Sequence, residues 1–180
     1  MKKLLAILLT GCMAFGMTAC GGGAATEDAP DKTPEEMKAD YIQDIIDDMD
    51  AAEKAGQLIM ADFRQNADGT GMTVLSDEAK QAIEEYHIGG VILFAENLDT
   101  KEQTQQLTAD LQEAADFGML IGIDEEGGLV SRLKKSNIEH ETFPDAAEMA
   151  DVAYAGRTIG TELAELGINV DFAPVADVNT

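Results

Sequence analysis

Asp124, Glu125 and Glu126 stand in a row, followed by Gly127-Gly128 and then Arg132. Paired carboxylates suit acid–base or glycoside chemistry. With the basic Arg132 close by in sequence, they suggest a polar-ligand site. If the acids continue a strand, Asp124 and Glu126 share a face while Glu125 points elsewhere. The glycine pair permits a tight turn with close backbone approach. Its spacing is not that of a dinucleotide-binding loop.

These groups need an element that aims them. Residues 120–124 (LIGID) form a short apolar run that reads as a buried parallel strand. In α/β enzymes, ligands bind at the carboxyl ends of such strands. Three further strands are expected over 58–63, 90–94 and 169–175. Between them lie helical stretches. One runs over 34–48, with Thr33 and Glu36 as a capping box and Pro34 in the first helical position. Another starts at Asp50 with Glu53 three residues on. Ser76 caps a third, which stops near Gly89. Thr100 and Gln103 open a fourth, carrying Leu107, Leu111 and Ala114 on one face and ending at Gly118. A fifth is expected over 145–166, closed by Gly167. Alternating strands and helices imply parallel crossovers. Four strands fit a small doubly wound sheet or half of a barrel that takes about 250 residues. The sequence stops straight after the fourth strand, which favours the barrel. The expected class is therefore α/β, a partial (β/α)8 TIM-like barrel of about the first half, preceded by N-terminal helices.

The first residues are read as an export signal and not as fold. Met1-Lys2-Lys3 is a positive start, and an apolar run to Met17 is too short to span a bilayer. Met17-Thr18-Ala19-Cys20 resembles a bacterial lipoprotein signal, which makes Cys20 the expected lipidation site after a signal peptide over 1–19. Cys12 is a rival, with an apolar run of only about six residues before it. A tether over 20–32 and a domain over 33–180 follow. Acyl chains on Cys20 would anchor the protein on the membrane, facing outward. The net charge of −23 argues against nucleic-acid partners.

Four segments carry a family resemblance: GQLIMADF from Gly56, IGGVILFAENL from Ile88, LIGIDEEGGLVSRL from Leu120, and LGINVDFAPVADVNT from Leu166. Together they resemble glycoside hydrolase family 3, most closely its bacterial β-N-acetylhexosaminidase branch. The resemblance implies a retaining exo-glycosidase that removes terminal β-linked N-acetylhexosamine through a glycosyl-enzyme intermediate. It implies substrate-binding roles for Asp124 and Arg132, with a carbohydrate as partner. A salt bridge between Arg132 and a neighbouring acid is the structural alternative. Glu126 matches a structural position. Leu129 replaces an arginine common in the family. A Lys-His pair, a histidine acid/base and a nucleophilic aspartate would all follow position 180. No catalytic residue is therefore assigned, and the 180-residue chain is expected to be inactive.

Other titratable residues are given structural readings: His87 at a helix end, His140 in a loop, and Asp177 as a hydrogen-bonding acid at a strand end. No metal site or cofactor is expected, since the sequence lacks a His/Cys cluster and calcium-loop spacing. A family 3 β-glucosidase or xylosidase, and a non-catalytic sugar-binding lipoprotein, remain open as alternatives.

Overall fold

The computed structural model describes residues 32–145 and 148–176. Cys12, Cys20, the signal, the tether through Asp31 and Asp177 lie outside the described residues. The chain divides into two compact units, residues 1–41 and 42–180. Helix α1 (Pro34–Asp48) has no buried residue. In the first unit, Thr33 and Glu36 form the expected reciprocal cap, the Glu36 carboxylate accepting from Thr33 N–H at 2.7 Å.

The second unit continues with α2 (Ala51–Gly56), β1 (Met60–Asp62), α3 (Asp77–Tyr86), β2 (Gly90–Ile92), α4 (Lys101–Ala114), β3 (Leu120–Ile123), α5 (Val152–Glu165) and β4 (Val170–Asp171). The strands are all parallel and lie side by side in chain order, β1-β2-β3-β4. A doubly wound sheet reverses its order at a switch point. None occurs among the described strands, so the winding is that of consecutive barrel strands. The expected parallel α/β class holds.

One sheet face carries the core. Val91, Leu93, Ile121 and Ile123 are fully buried there with Ile83, Leu107, Leu111, Ile159 and Leu163 from the helices. Alternation puts Met60, Gly90, Leu120 and Gly122 on the other face. That face is apolar and open, with Leu120 and Phe172 about half exposed. Gly122 gives the Phe172 ring its place, because a Cβ there would sit 2.7 Å from Phe172 Cε2.

The structure shortens several expected elements. The first strand begins at Met60, and Leu58 is exposed. Helix α3 ends at Tyr86, where His87 takes the left-handed conformation (φ 53) in place of a glycine. Ser76 and Thr100 cap as expected, but Gln103 Oε1 accepts from Asp99 N–H and not from its own cap residue. The largest difference is at α5, which starts at Val152 behind the cap Asp151 and not near 145. Residues 143–145 are instead held by the glycine turn, where Gly128 N–H donates to Phe143 O at 2.9 Å and Leu129 N–H to Asp145 Oδ1 at 3.1 Å.

Candidate functional site at the carboxyl rim of the sheet

β3 ends at Ile123, so the three acids lie just past its carboxyl end and not within it. Strand alternation therefore does not govern them. Gly127 and Gly128 both take positive φ (76 and 54) and turn the chain back. Glu126 N–H donates to Val130 O at 2.9 Å and Val130 N–H to Gly127 O at 3.1 Å. This narrow hairpin returns Arg132 over Asp124. Arg132 Nη2 and Asp124 Oδ2 are 2.7 Å apart, each side chain about a quarter exposed. The two candidate substrate-binding residues are thus brought together as an ion pair with solvent access. The same contact realises the structural alternative for Arg132, and both roles are compatible with it.

Glu125 is the buried acid, 4% exposed. Its Oε2 accepts from Arg132 N–H (2.8 Å) and Leu133 N–H (3.1 Å), capping a short 3-10 turn over Leu133–Lys135. It holds the backbone that presents Arg132. Leu129, where the family commonly has arginine, is 94% exposed at the tip of the turn.

Asp62 ends β1, and Phe94 lies two residues past β2. Arg64 Nη2 donates to Asp62 Oδ2 at 2.9 Å, and its guanidinium carbon lies 3.5 Å from the Phe94 ring centroid. The Arg132 guanidinium lies 5.2 Å from the same centroid. Sequence reasoning did not single out Asp62, Arg64 or Phe94. The signal was available in the carboxyl-end rule already applied to Asp124.

Asp171 ends β4 and accepts from Glu125 N–H at 2.9 Å. Burial, and after it the charges of Glu125, Asp124 and Glu126, push its carboxyl up to about 6. It lines a cleft of about 270 Å³ with Glu125, Glu126, Gly156, Ile159 and Gly160. Asp124 and Arg132 do not line that cleft. Glu125 and Asp171 there each hold backbone N–H groups through one carboxylate oxygen. The folded chain holds the Asp171 proton to a higher pH than the unfolded chain. The stability linked to that proton is complete below the unfolded value of about 3.9 and is lost as pH rises through about 6. Asp171→Asn keeps the acceptor and removes the charge. It should raise the free energy of unfolding at pH 7.5 by on the order of 1 kcal/mol after solvent screening, seen as a higher Tm, and change little at pH 4. Equal Tm shifts at the two pH values would contradict this assignment.

The histidines sit apart from the rim groups. His87 precedes β2 at the opposite end of the sheet, with Nδ1 2.6 Å from Asp116 Oδ2. That hydrogen bond raises its pKa. His140 Nδ1 lies 2.8 Å from Ile138 O. Among the described residues, no group of three or more His, Cys, Asp or Glu side chains could hold a metal.

A parallel sheet wound in one direction, with ion-paired polar groups at its carboxyl rim, defines an α/β scaffold of the barrel-enzyme type. Residues 51–180 match the glycosyl hydrolase family 3 N terminal domain, and the chain belongs to that family. It is 37% identical over 147 residues to Beta-hexosaminidase A of Pseudoalteromonas piscicida, covering 69% of this chain and 24% of that protein. It is 35% identical over 115 residues to Beta-hexosaminidase of Neisseria gonorrhoeae, covering 58% and 32%. Among solved structures it resembles a glycoside hydrolase family 3 beta-N-acetylglucosaminidase from Paenibacillus sp. str. FPU-7, with a TM-score of 0.60 and 39% identity over 70% of this chain and 24% of that one. NagZ from Neisseria gonorrhoeae in complex with N-trifluoroacetyl-D-glucosamine gives a TM-score of 0.54 and 30% identity over 67% and 37%. The chain thus spans about a quarter to a third of the length of these curated relatives.

Proposed function

We propose that this chain is the substrate-holding part of a β-N-acetylhexosaminidase acting on terminal β-linked N-acetylhexosamine. The observation that carries the reading is the Asp124–Arg132 pair, partly exposed at the carboxyl rim in a family 3 chain. The carboxylate accepts from sugar hydroxyls and the guanidinium donates to sugar oxygens. The amino-sugar preference rests on similarity to hexosaminidases and to a structure bound to an N-acylated glucosamine analogue. A retaining mechanism needs a nucleophile and an acid/base on either side of the scissile bond. Neither role is assigned to a residue in this sequence. The 180-residue chain is therefore proposed to bind the sugar without cleaving it.

Saturation-transfer NMR with N-acetylglucosamine on the 180-residue chain tests this reading, alongside turnover of an aryl β-N-acetylglucosaminide. Binding should be measurable and weakened about tenfold or more by Asp124→Asn, because a charge-assisted acceptor for hydroxyls is lost. No turnover above background is expected. Hydrolysis at enzyme-like rates by this chain, or equal binding by the variant, would overturn the reading. Stronger transfer to glucose or xylose would move the specificity to another family 3 sugar.

We also propose that Cys20 carries the lipid that holds the protein on the outer side of a bacterial membrane, two acyl chains being enough for stable anchoring. Mass spectrometry of the mature N-terminus should find a diacylated or triacylated Cys20. An unmodified N-terminus, or one beginning at Cys12, would refute that site.

A further inference from the structure

Two similar ion pairs stand on either side of one aromatic ring. Asp62 and Arg64 come from the end of β1, and Asp124 and Arg132 from the end of β3 and its hairpin. Phe94, two residues past β2, lies near both guanidiniums, whose central carbons are within 5.2 Å of its centroid. Strand register makes this juxtaposition, since Asp62 pairs with Ile92 and Ile92 with Gly122. The loop carrying Arg64 is organised: Met72 N–H donates to Arg64 O at 3.0 Å, and Gln65 bridges Gly71. Arg64 and Arg132 each contact their carboxylate through Nη2. The Nε atoms of both are shielded from solvent and have no hydrogen-bond partner. Each side chain nonetheless keeps solvent access, Arg64 39% and Arg132 23% exposed, so what a ligand can meet is the part of each guanidinium beyond the shielded Nε.

We propose that Asp62, Arg64 and Phe94 form a second sugar-holding arm, so that a neutral pyranose is gripped from both sides of the Phe94 ring. The inference rests on the reading that Asp124 and Arg132 hold a sugar, and extends it to residues at the carboxyl ends of β1 and β2. The neutral class follows from charge. Each guanidinium is already balanced by its own carboxylate, and Glu125, Glu126 and Asp171 lie beside the β3 pair. An anionic ligand would meet net negative charge. Hydroxyls both donate and accept, and match an alternation of carboxylate acceptors and guanidinium donors. Phe94 acts as a positioning residue. Its ring lies within cation–π distance of both guanidiniums, which helps to hold them in place.

The chain has three arginines, Arg64, Arg132 and Arg157, so arginine-selective labelling reads both arms and a control in one tube. The full 180-residue chain is treated with phenylglyoxal with and without N-acetylglucosamine, and each site is quantified by mass spectrometry. At a sugar concentration of ~10 times Kd, modification of Arg64 and Arg132 should slow about tenfold by mass action. Exposed Arg157 on α5 should be unaffected. Protection of Arg132 without Arg64 would overturn the second arm and leave the first intact. Protection of neither would overturn both. In Phe94→Leu, protection at both sites should need a higher sugar concentration. An unchanged concentration dependence would overturn the positioning role of the ring.

Discussion

Glu125→Ala should cost this chain about 3–5 kcal/mol, whereas Glu126→Ala should stay within about 0.5 kcal/mol. The neighbouring acids differ because only Glu125 is spent on backbone. Its Oε2 accepts from Arg132 N–H and Leu133 N–H, beneath a turn in which Ser131 and Leu133 are also buried. Alanine would leave both donors without a partner and open a void where the carboxylate stood. Glu125→Gln keeps an acceptor and removes one of the charges that raise the Asp171 pKa. The neutral amide makes weaker hydrogen bonds than the carboxylate, and the relieved repulsion offsets part of that loss, so its cost should be about 1–2 kcal/mol. Urea unfolding followed by circular dichroism reads all three. The sugar site supplies a second readout, because the two lost bonds position Arg132. Glu125→Ala should weaken N-acetylglucosamine binding although Glu125 touches no ligand. Equal destabilisation by the Glu125 and Glu126 variants would remove the assignment of Glu125 as the buried strut.

The parts of this arrangement that sequence made legible are those set by local rules. Alternating apolar runs and capped helices define a parallel α/β chain, and Asp50, Ser76 and Thr100 cap their helices because cap chemistry acts within three residues. The carboxyl-end rule pointed to a polar-ligand site at the acids after the third strand, while the roles of Asp124 and Arg132 came from the family resemblance. The identity of the buried acid was hidden, because the two-residue alternation of a strand stops at Ile123, one residue before the acids. The start of α5 was misplaced for a tertiary reason. Residues 143–145 serve the Gly127-Gly128 turn as hydrogen-bond acceptors, and no local pattern announces that. The meeting of Arg64, Phe94 and Arg132 depends on the register of three strands, a long-range property.

Asn97 is the residue through which that register reaches the rim, and Asn97→Ala is expected to damage both stability and ligand binding. The side chain is 1% exposed. Its Oδ1 accepts from Phe94 N–H at 2.9 Å, and its Nδ2 donates to Phe63 O at 3.1 Å and Met72 O at 3.0 Å. One amide therefore ties the end of β2 to both ends of the loop that carries Arg64. No other uncharged side chain of similar size offers an acceptor and two donors in a planar group of this reach. Alanine would orphan three backbone groups at once, a cost of about 3 kcal/mol or more. Asn97→Asp should be at least as harmful. It preserves the acceptor toward Phe94 N–H but turns a carboxylate oxygen toward two carbonyls in a buried place. The two variants separate a packing role from a hydrogen-bonding one, since aspartate fills the space and alanine does not. Thermal unfolding that ranks Asn97→Asp close to wild type would show that shape and not the amide matters. The amide account further requires that, in whichever variant stays folded at low temperature, Arg64 loses its sugar protection before Arg132 does. Asn97 holds the Arg64 loop directly, while the Glu125 strut holds Arg132 on its own hairpin.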